Sequence, residues 1–242
     1  FFSAVFRKPN PNAFRVYWIA HSFCSQKTGE GLTKKETGVD RMGKGLVLIF
    51  SYLIGGILFG ELIGLISRVD LRKKGSGNPG ATNVYRILGP VSGVLVLAGD
   101  TLKGIAGTML GTWLGWPELA PWCGLAVIAG HNWPLFFKFQ GGKGIATSFG
   151  TVIILVPETL FIIVPLWLFT LVLSGYVSLA SIVAAFALPW SCLLFYPGEP
   201  KLLTYAILAG AFAILRHRSN IQRIINGTEN RIFRKKAREE EK

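Results

Sequence analysis

Long apolar runs separated by short polar segments dominate the chain after Met42. The strongest runs cover residues 45–66, 91–115, 119–137, 145–173, 177–195 and 202–216. An α-helix needs about 20 apolar residues to cross the hydrocarbon core of a bilayer, and most of these runs approach or exceed that length. The pattern therefore predicts an all-α polytopic integral membrane protein.

The charged residues predict which ends of the spans face the cytoplasm. Cations cluster at three places along the chain: Arg68, Arg72, Lys73, Lys74 and Arg86; Lys138 and Lys143; and nine Lys or Arg from Arg216 to Lys242. The positive-inside rule places all of them in the cytoplasm. The chain must then cross an even number of times between Lys143 and Arg216. The run 145–173 therefore divides into two helices at Pro157, because proline cannot continue a helix. This predicts about seven spans, with the N-terminus outside and the C-terminus cytoplasmic.

Composition agrees with a bilayer environment. The 242 residues are 50% hydrophobic, with a mean hydropathy of +0.44 and a formal net charge of +13, a combination that soluble domains seldom show. Residues 1–41 lack an apolar run long enough to span, so we expect a flexible N-terminal extension, a membrane domain at 42–233 and a charged tail at 234–242. Cys24, Cys123 and Cys192 form no C-x-x-C pair, which indicates neither a disulfide framework nor a zinc site.

The segment "RKKGSGNPGATNVYR", residues 72–86, contains G-x-G-x-x-G, the fingerprint of a dinucleotide-binding turn. That fingerprint requires a preceding strand, whereas a run of membrane-span length precedes it here. The segment is therefore interpreted either as a phosphate-binding loop or as an ordinary positive-inside loop. Its hydrogen-bonding and charged side chains are Ser76, Asn78, Thr82, Asn83 and Arg86. Arg86 could grip a phosphate with two N–H groups.

A second glycine-rich segment stands directly before an apolar run. It consists of Gly141, Gly142, Lys143 and Gly144. Glycines allow backbone N–H groups to converge, and a helix N-terminus adds positive potential, so the segment suits a phosphate. It is not a Walker A loop, which needs a glycine four residues before Gly-Lys and a Ser or Thr after the lysine. A simple basic loop end is the alternative.

Other polar residues lie at the cytoplasmic ends of the spans or within them. His217 and Asn220 share one helix face at spacing i, i+3. Asp100 and Lys103 have the spacing of an ion pair, and ionisable residues inside a membrane are usually paired or functional. His131 is expected to hydrogen-bond between helices, with a direct substrate contact as the alternative. Glu61 has no partner that the sequence indicates.

Three segments carry a family resemblance. "GSGNPGATNVYRILG", "GHNWPLFFKFQGGKGIAT" and "HRSNIQRIINGTE", with "GDTLKG" between the first two, resemble the bacterial membrane acyl-phosphate:glycerol-3-phosphate acyltransferases. The resemblance covers residues 42–233 and implies a membrane protein of seven helices. The family's motifs fall here on three sets of residues: Ser76 and Arg86; Gly141, Gly142, Lys143 and Gly144; and His217, Asn220 and Glu229.

The resemblance implies transfer of a fatty acyl group from acyl phosphate to the 1-hydroxyl of glycerol 3-phosphate. The products are lysophosphatidic acid and phosphate, in the first acylation step of phospholipid synthesis. It implies a multi-pass enzyme of the bacterial inner membrane with a cytoplasmic active site. We expect acyl phosphate, glycerol 3-phosphate and membrane lipid as partners, with no nucleic acid, cofactor or metal.

The candidate residues divide by expected role. Catalysis is assigned to Ser76, Arg86, Lys143, His217 and Asn220. Phosphate binding is assigned to Gly141, Gly142, Lys143 and Gly144 together with Ser76 and Arg86. A structural or supporting role is assigned to Glu229, Asn78, Thr82, Asn83, Asp100, Lys103 and His131.

The sequence also bears on mechanism. It has no H-x-x-x-x-D box and no Ser-His-Asp or Cys-His pairing, so we expect direct attack by the glycerol hydroxyl, with His217 or a substrate phosphate oxygen taking the proton. A transporter for a phosphorylated metabolite is the main alternative, and it would need polar residues continuing through the spans. A CDP-alcohol phosphotransferase would need an aspartate cluster, and the chain has only three aspartates, Asp40, Asp70 and Asp100.

Overall fold

The computed structural model of the chain describes residues 37–232, which form an all-α structure. The helices are α1 Gly38–Gly55, α2 Phe59–Ile66, α3 Ala81–Leu88, α4 Pro90–Trp113, α5 Ala120–Asn132, α6 Ile145–Leu155, α7 Leu160–Ser174, α8 Val177–Phe195, α9 Pro200–Arg216 and α10 Arg218–Ile225. Short 3₁₀ turns lie at Leu71–Lys73, Pro117–Leu119, Leu135–Phe137 and Pro157–Thr159. The predictions for residues 1–36 and 233–242 lie outside the described residues.

Four helical stretches among the described residues have the length and composition to cross a membrane. They are Gly38–Ile66, Pro90–Trp113, Pro157–Ser174 and Val177–Phe195, and Ile145–Leu155 is a shorter apolar helix. The predicted division of the run 145–173 is confirmed, because α6 ends at Leu155 and a 3₁₀ turn at Pro157 precedes α7. The count of seven crossings and the orientation of the termini stay predictions.

The first predicted span is divided in the structure. Helix α1 begins at Gly38 behind a capping box made by Thr37 and Asp40, and it ends at Gly55 before α2 starts at Phe59. The boundary predicted between residues 41 and 42 therefore falls within a helix. Hydropathy did not indicate the break after Gly55, because the residues on both sides of it are apolar.

Glycines allow the helices to approach one another closely. A Cβ on Gly55 would collide with the backbone of Val127 in α5, and one on Gly130 would collide with the backbone of Tyr52 in α1. In the same way, Gly104 of α4 lies against the backbone of α6. Small residues at helix contacts are the usual means of tight packing in lipid, and these three glycines serve that purpose here.

Two apolar clusters hold the bundle together. The larger lies between α5, α6, α8 and α9 around the fully buried Tyr205, and the smaller consists of Leu71, Val84 and Val96, which join α3 to α4. Segments that follow α2, α5 and α9, and the first turns of α4, α6 and α8, contribute residues to one cavity, so these helix ends lie at the same end of the bundle. The three cationic segments, as far as the structure describes them, therefore meet at one end of the bundle.

Candidate active site

A cavity of about 320 Å³ lies where the three cationic segments meet. It is bounded by residues of every segment that the sequence singled out. Its polar and charged lining residues include Ser76, Asn78, Thr82, Asn83, Arg86, Asp100, His131, Lys143, Ser178, Ser181, His217, Asn220 and Glu229. The structure thus brings together all five residues to which catalysis was assigned, although about 140 positions separate the first from the last.

The loop before α3 is built around Asn83. Its side-chain Oδ1 accepts a hydrogen bond from the Ser76 N–H at 2.8 Å, and its Nδ2 donates to the Lys74 carbonyl at 3.2 Å. Asn83 is almost fully buried, so its amide orients the loop beneath Ser76. Gly75 and Gly77 have φ of +59° and +69°, in the left-handed region that favours glycine. A helix and a 3₁₀ turn precede this loop, as expected if it is not a dinucleotide-binding turn.

Lys143 enters the cavity from the glycine-rich loop between α5 and α6. Burial lowers the pKa of Lys143 to about 8, Glu229 opposes that shift, and Arg223 and Arg86 add to it. A cation with few water contacts interacts strongly with an incoming anion, because the local dielectric screens the attraction less than water does. Lys143 is therefore the best placed lysine for a phosphate.

The glycine-rich loop departs in one respect from the predicted phosphate cradle. The Gly142 N–H donates to the His131 carbonyl at 3.1 Å, so this amide is already used within the protein. Gly142 also lies against the His131 ring, where a Cβ would collide with Nε2. Lys143 and Gly144 line the main cavity, whereas Gly141 lines a neighbouring one. For Gly142 the structure thus shows a packing role, with its N–H unavailable to a phosphate.

His217 is buried at the junction between α9 and α10. Its Nδ1 lies 2.7 Å from the Ala213 carbonyl, and a carbonyl can only accept, so Nδ1 carries the proton and Nε2 has the free lone pair. Burial and the nearby Lys143 charge lower the pKa of His217 to about 4. The imidazole is therefore neutral at neutral pH, with Nε2 able to accept a hydrogen bond or a proton.

Glu229 organises the C-terminal wall of the cavity. Its Oε1 accepts from Ser178 Oγ and Asn220 Nδ2, both at 2.7 Å, and its Oε2 accepts from Arg223 Nε at 2.7 Å. Burial alone would raise the pKa of Glu229, but these three donors lower it below its ordinary value. The carboxylate is held charged and joins α8, α10 and the C-terminal segment, consistent with the structural role expected for it.

A buried ionic trio lies behind the glycine-rich loop. Lys103 Nζ is 2.8 Å from Asp100 Oδ1 and 2.9 Å from His131 Nδ1, and the pairing predicted for Asp100 and Lys103 is confirmed. His131 hydrogen-bonds between helices, as expected, and both Asp100 and His131 also line the cavity. The trio connects α4 to the end of α5, directly before the loop.

Several contributors to the site were not predicted from the sequence. Ser178 binds Glu229, Trp167 lines the cavity from α7, and Arg72 pairs with Glu61 at 2.8 Å. A serine in an apolar run is common in membrane helices, so Ser178 gave no distinguishing signal. Glu61, a carboxylate in a span, did require a partner, but only the tertiary structure identifies Arg72.

Two further cavities adjoin the first. One, of about 310 Å³, is an apolar groove between α6, α7, α8 and α9, and it shares Leu97, Ile145, Ala146, Trp167 and Ser181 with the main cavity. The other, of about 510 Å³, is polar, shares Ser76, Asn78 and Lys143 with the main cavity and is lined by Arg216 and Arg223. The site therefore has one cationic side and one apolar side.

Within residues 37–232 no group of three or more His, Cys, Asp or Glu is arranged to hold a metal ion.

Comparison with known proteins assigns the sequence of this chain to a family. A family model described as glycerol-3-phosphate acyltransferase matches residues 45–227. The glycerol-3-phosphate acyltransferase of Desulforamulus reducens is 45% identical over 195 residues, covering 79% of this chain and 96% of the relative. That of Aquifex aeolicus is 42% identical over 193 residues, covering 76% and 97%.

Solved structures give the same result. The crystal structure of PlsY (YgiH), an integral membrane glycerol 3-phosphate acyltransferase in its glycerol 3-phosphate form, superposes with a TM-score of 0.73 at 41% identity, covering 78% of this chain and 95% of that chain. The lysophosphatidic acid form superposes with a TM-score of 0.71 at 40% identity, with the same coverage.

Proposed function

The chain belongs to the glycerol-3-phosphate acyltransferase family, and from that premise we propose that it transfers a fatty acyl group from acyl phosphate to the 1-hydroxyl of glycerol 3-phosphate. The products are 1-acyl-glycerol 3-phosphate, which is lysophosphatidic acid, and inorganic phosphate. We further propose that this is the first acylation step of phospholipid synthesis, at the cytoplasmic face of a bacterial inner membrane.

One observation carries the proposal: a cationic cavity opens into an apolar groove. Arg86, Lys143 and Ser76 supply charge and hydrogen-bond donors at one side, and five residues shared with the groove form the other. An acyl phosphate has this same polarity, with an anionic head joined to a long alkyl chain. Glycerol 3-phosphate is small enough to enter the polar side alone.

The groove argues against a path for a polar metabolite. Beyond the shared residues its walls are formed by apolar or small side chains, including Val152, Ile163, Leu188 and Ala209, and its lining contains no charged residue. A transporter for a phosphorylated metabolite would need polar groups to replace water along this route. A hydrocarbon chain needs none, because its transfer from water into such a groove is favourable.

The chemistry proposed is direct attack without an acyl-enzyme. The glycerol 1-hydroxyl oxygen attacks the acyl carbon, a new C–O ester bond forms, the C–O bond to the phosphate breaks, and phosphate leaves with the bonding electrons. The hydroxyl proton passes to His217 Nε2, with a substrate phosphate oxygen as the alternative acceptor. Lys143, Arg86 and Ser76 stabilise the charge on the departing phosphate.

The donor is the first point to test. Purified protein in lipid or detergent would receive glycerol 3-phosphate with palmitoyl phosphate, palmitoyl-CoA or palmitoyl-carrier protein, and lysophosphatidic acid and phosphate would be followed. We expect product from palmitoyl phosphate alone. Product from a thioester only would contradict the proposed donor, and no product from any donor would favour the transporter.

The mechanism has its own test. The variant His217→Ala should lower kcat by about 100-fold if the imidazole is the base, since general bases typically contribute 10²–10⁴-fold. Unchanged turnover would exclude a side-chain base at this position and leave the phosphate oxygen. Isolation of a covalent acyl-enzyme by mass spectrometry would contradict direct attack.

A further inference from the structure

The loop that carries Lys143 has little regular structure of its own. Between the 3₁₀ turn Leu135–Phe137 and the start of α6 at Ile145, the backbone forms neither helix nor strand. Three of its residues are glycines, and Lys138 and Phe139 adopt φ of +52° and +60°, which is unfavourable for residues with side chains. A segment of this kind needs contacts from outside to hold one conformation.

Two arginines supply those contacts by binding three consecutive carbonyl groups. Arg72 Nη2 donates to the Gln140 carbonyl at 2.8 Å, Arg216 Nη2 to the Gly141 carbonyl at 2.8 Å, and Arg216 Nε to the Gly142 carbonyl at 2.9 Å. We refer to Arg72 and Arg216 together as the carbonyl clamp. The two side chains approach from separate parts of the chain, one from the loop after α2 and the other from the end of α9.

Neither arginine serves only to neutralise an acid. Arg72 does pair with Glu61 at 2.8 Å, but Arg216 makes no salt bridge in the described part of the chain, and its guanidinium lies 5.9 Å from the centre of the Trp133 ring. Arg216 is partly buried, and a cation withdrawn from water without a carboxylate partner is costly unless its N–H groups are satisfied. The two carbonyls provide that satisfaction, so the loop and Arg216 depend on each other.

The clamp determines the direction of the loop's amides as well. Across a trans peptide, the C=O of one residue and the N–H of the next point in opposite directions. With the Gly141 carbonyl on Arg216, the Gly142 N–H must point to the opposite side, where it donates to the His131 carbonyl. By the same rule, the Gly142 carbonyl on Arg216 directs the Lys143 N–H away from Arg216.

We propose that Arg216 and Arg72 are positioning residues for acyl transfer: by holding the carbonyls of residues 140–142, they place Lys143 on the substrate phosphate. The expected loss of acyl transfer rests on the proposed function. The structural part of the inference, that the clamp holds the loop in one conformation, does not. A phosphate-binding segment must keep its carbonyl oxygens away from the anion, and the clamp achieves this with two guanidinium groups. Because Arg216 binds two carbonyls in a fork, an ammonium group cannot replace it.

The test compares Arg216→Lys with Arg68→Lys. Both variants keep the positive charge at the same end of the bundle, but Arg68 is exposed and lines none of the three cavities. We expect R216K to lower kcat/KM for acyl transfer by roughly tenfold, the effect of one lost hydrogen bond to a charged group, and R68K to stay within about twofold. If R216K resembles the wild type while Arg216→Ala is impaired, charge alone is needed and the proposal is wrong.

Two further measurements separate positioning from other effects. In a Lys143→Met background, R216K should have little additional effect, because a residue that acts through Lys143 has nothing left to position; a full additional loss would overturn the proposal. Hydrogen exchange followed by mass spectrometry should show faster exchange in peptides covering residues 138–144 of R216K, with helix peptides unchanged. Unchanged exchange in that loop would also overturn it.

The exchange measurement needs no catalytic activity. If the wild type fails to use any acyl donor, the proposed function fails while the exchange result still decides whether the clamp holds the loop. If the wild type is active and neither the R216K kinetics nor its exchange differ, the clamp fails while the proposed function stands.

Discussion

Replacement of Lys143 by arginine should remove the alkaline limb of the pH profile. Burial lowers the pKa of Lys143 from the ordinary 10.5 to about 8, so the charge that we propose holds the substrate phosphate is lost as the pH rises through 8. Above that value the neutral amine dominates, and kcat/KM should fall. Arginine keeps its proton throughout this range, so the variant Lys143→Arg should show no such fall.

The size of the effect follows from the pKa. With a pKa of 8, about 90% of Lys143 is charged at pH 7 and about 10% at pH 9, so kcat/KM should fall by roughly tenfold between these values. With an ordinary pKa, almost all of the side chain would remain charged at pH 9, and the rate would hardly change. The quantity kcat/KM is used because it reports groups of the free enzyme.

The assay would follow lysophosphatidic acid formation from palmitoyl phosphate between pH 6 and 10, with the uncatalysed hydrolysis subtracted at each pH. Lys138→Arg makes the same change five residues earlier, outside the three cavities, and it should keep the wild-type limb. A wild-type profile that stays flat to pH 10, or a limb that persists in K143R, would refute the reasoning.

Three other changes have clear expected outcomes. Glu229→Gln removes a charge that raises the pKa of the cavity lysine, so the alkaline limb should move to lower pH; a limb that stays in place or moves upward would contradict this. Asp100→Asn leaves the Lys103 ammonium buried without its ion-pair partner and should destabilise the fold by about 3–5 kcal/mol, seen as a lower Tm in detergent, with partial recovery when Lys103→Met is added. Ala184→Phe places a ring in the apolar groove and should lower kcat/KM for palmitoyl phosphate much more than for butyryl phosphate, whereas Ala187→Phe on the same helix should not discriminate; equal losses for both chain lengths would exclude the groove as the acyl site.

The limits of prediction from the sequence are clearest at the glycine-rich loop. The sequence indicated that Lys143 would face a polar site, because a lysine among glycines precedes an apolar run. The positions of the cation clusters between the spans predicted that Lys143 would lie beside Arg86 and His217, and all three line one cavity. The sequence could not show that the Gly142 N–H donates to the His131 carbonyl, or that Arg72 and Arg216 donate to the neighbouring carbonyls. The arginine contacts join residues about 70 positions apart, and the contact of Gly142 with His131 spans an irregular loop, so spacing along the chain contains no information about either.

The helices also show which features the sequence could predict and which it could not. The division of the run 145–173 was predictable because the charges implied an even number of crossings and because an acid, Glu158, follows Pro157. Proline alone would not have located the break, since Pro165 lies inside α7 and Pro189 inside α8. The break after Gly55 was not predictable, since apolar residues continue across it and the close approach of α1 to α5 is a property of packing.

By itself, the sequence determined that this chain is a helical membrane protein and which of its motifs belong to an acyltransferase, and it predicted that the three clusters of cations share one side of the membrane. These properties depend on hydropathy, proline and charge, which act within one span or between neighbouring ones. Only the tertiary structure decided that an apolar groove joins the cationic cavity, that Glu229 binds Ser178, and that Arg72 and Arg216 hold the Lys143 loop. These features arise where distant helix ends meet, so their energies depend on distances in space that no local pattern encodes.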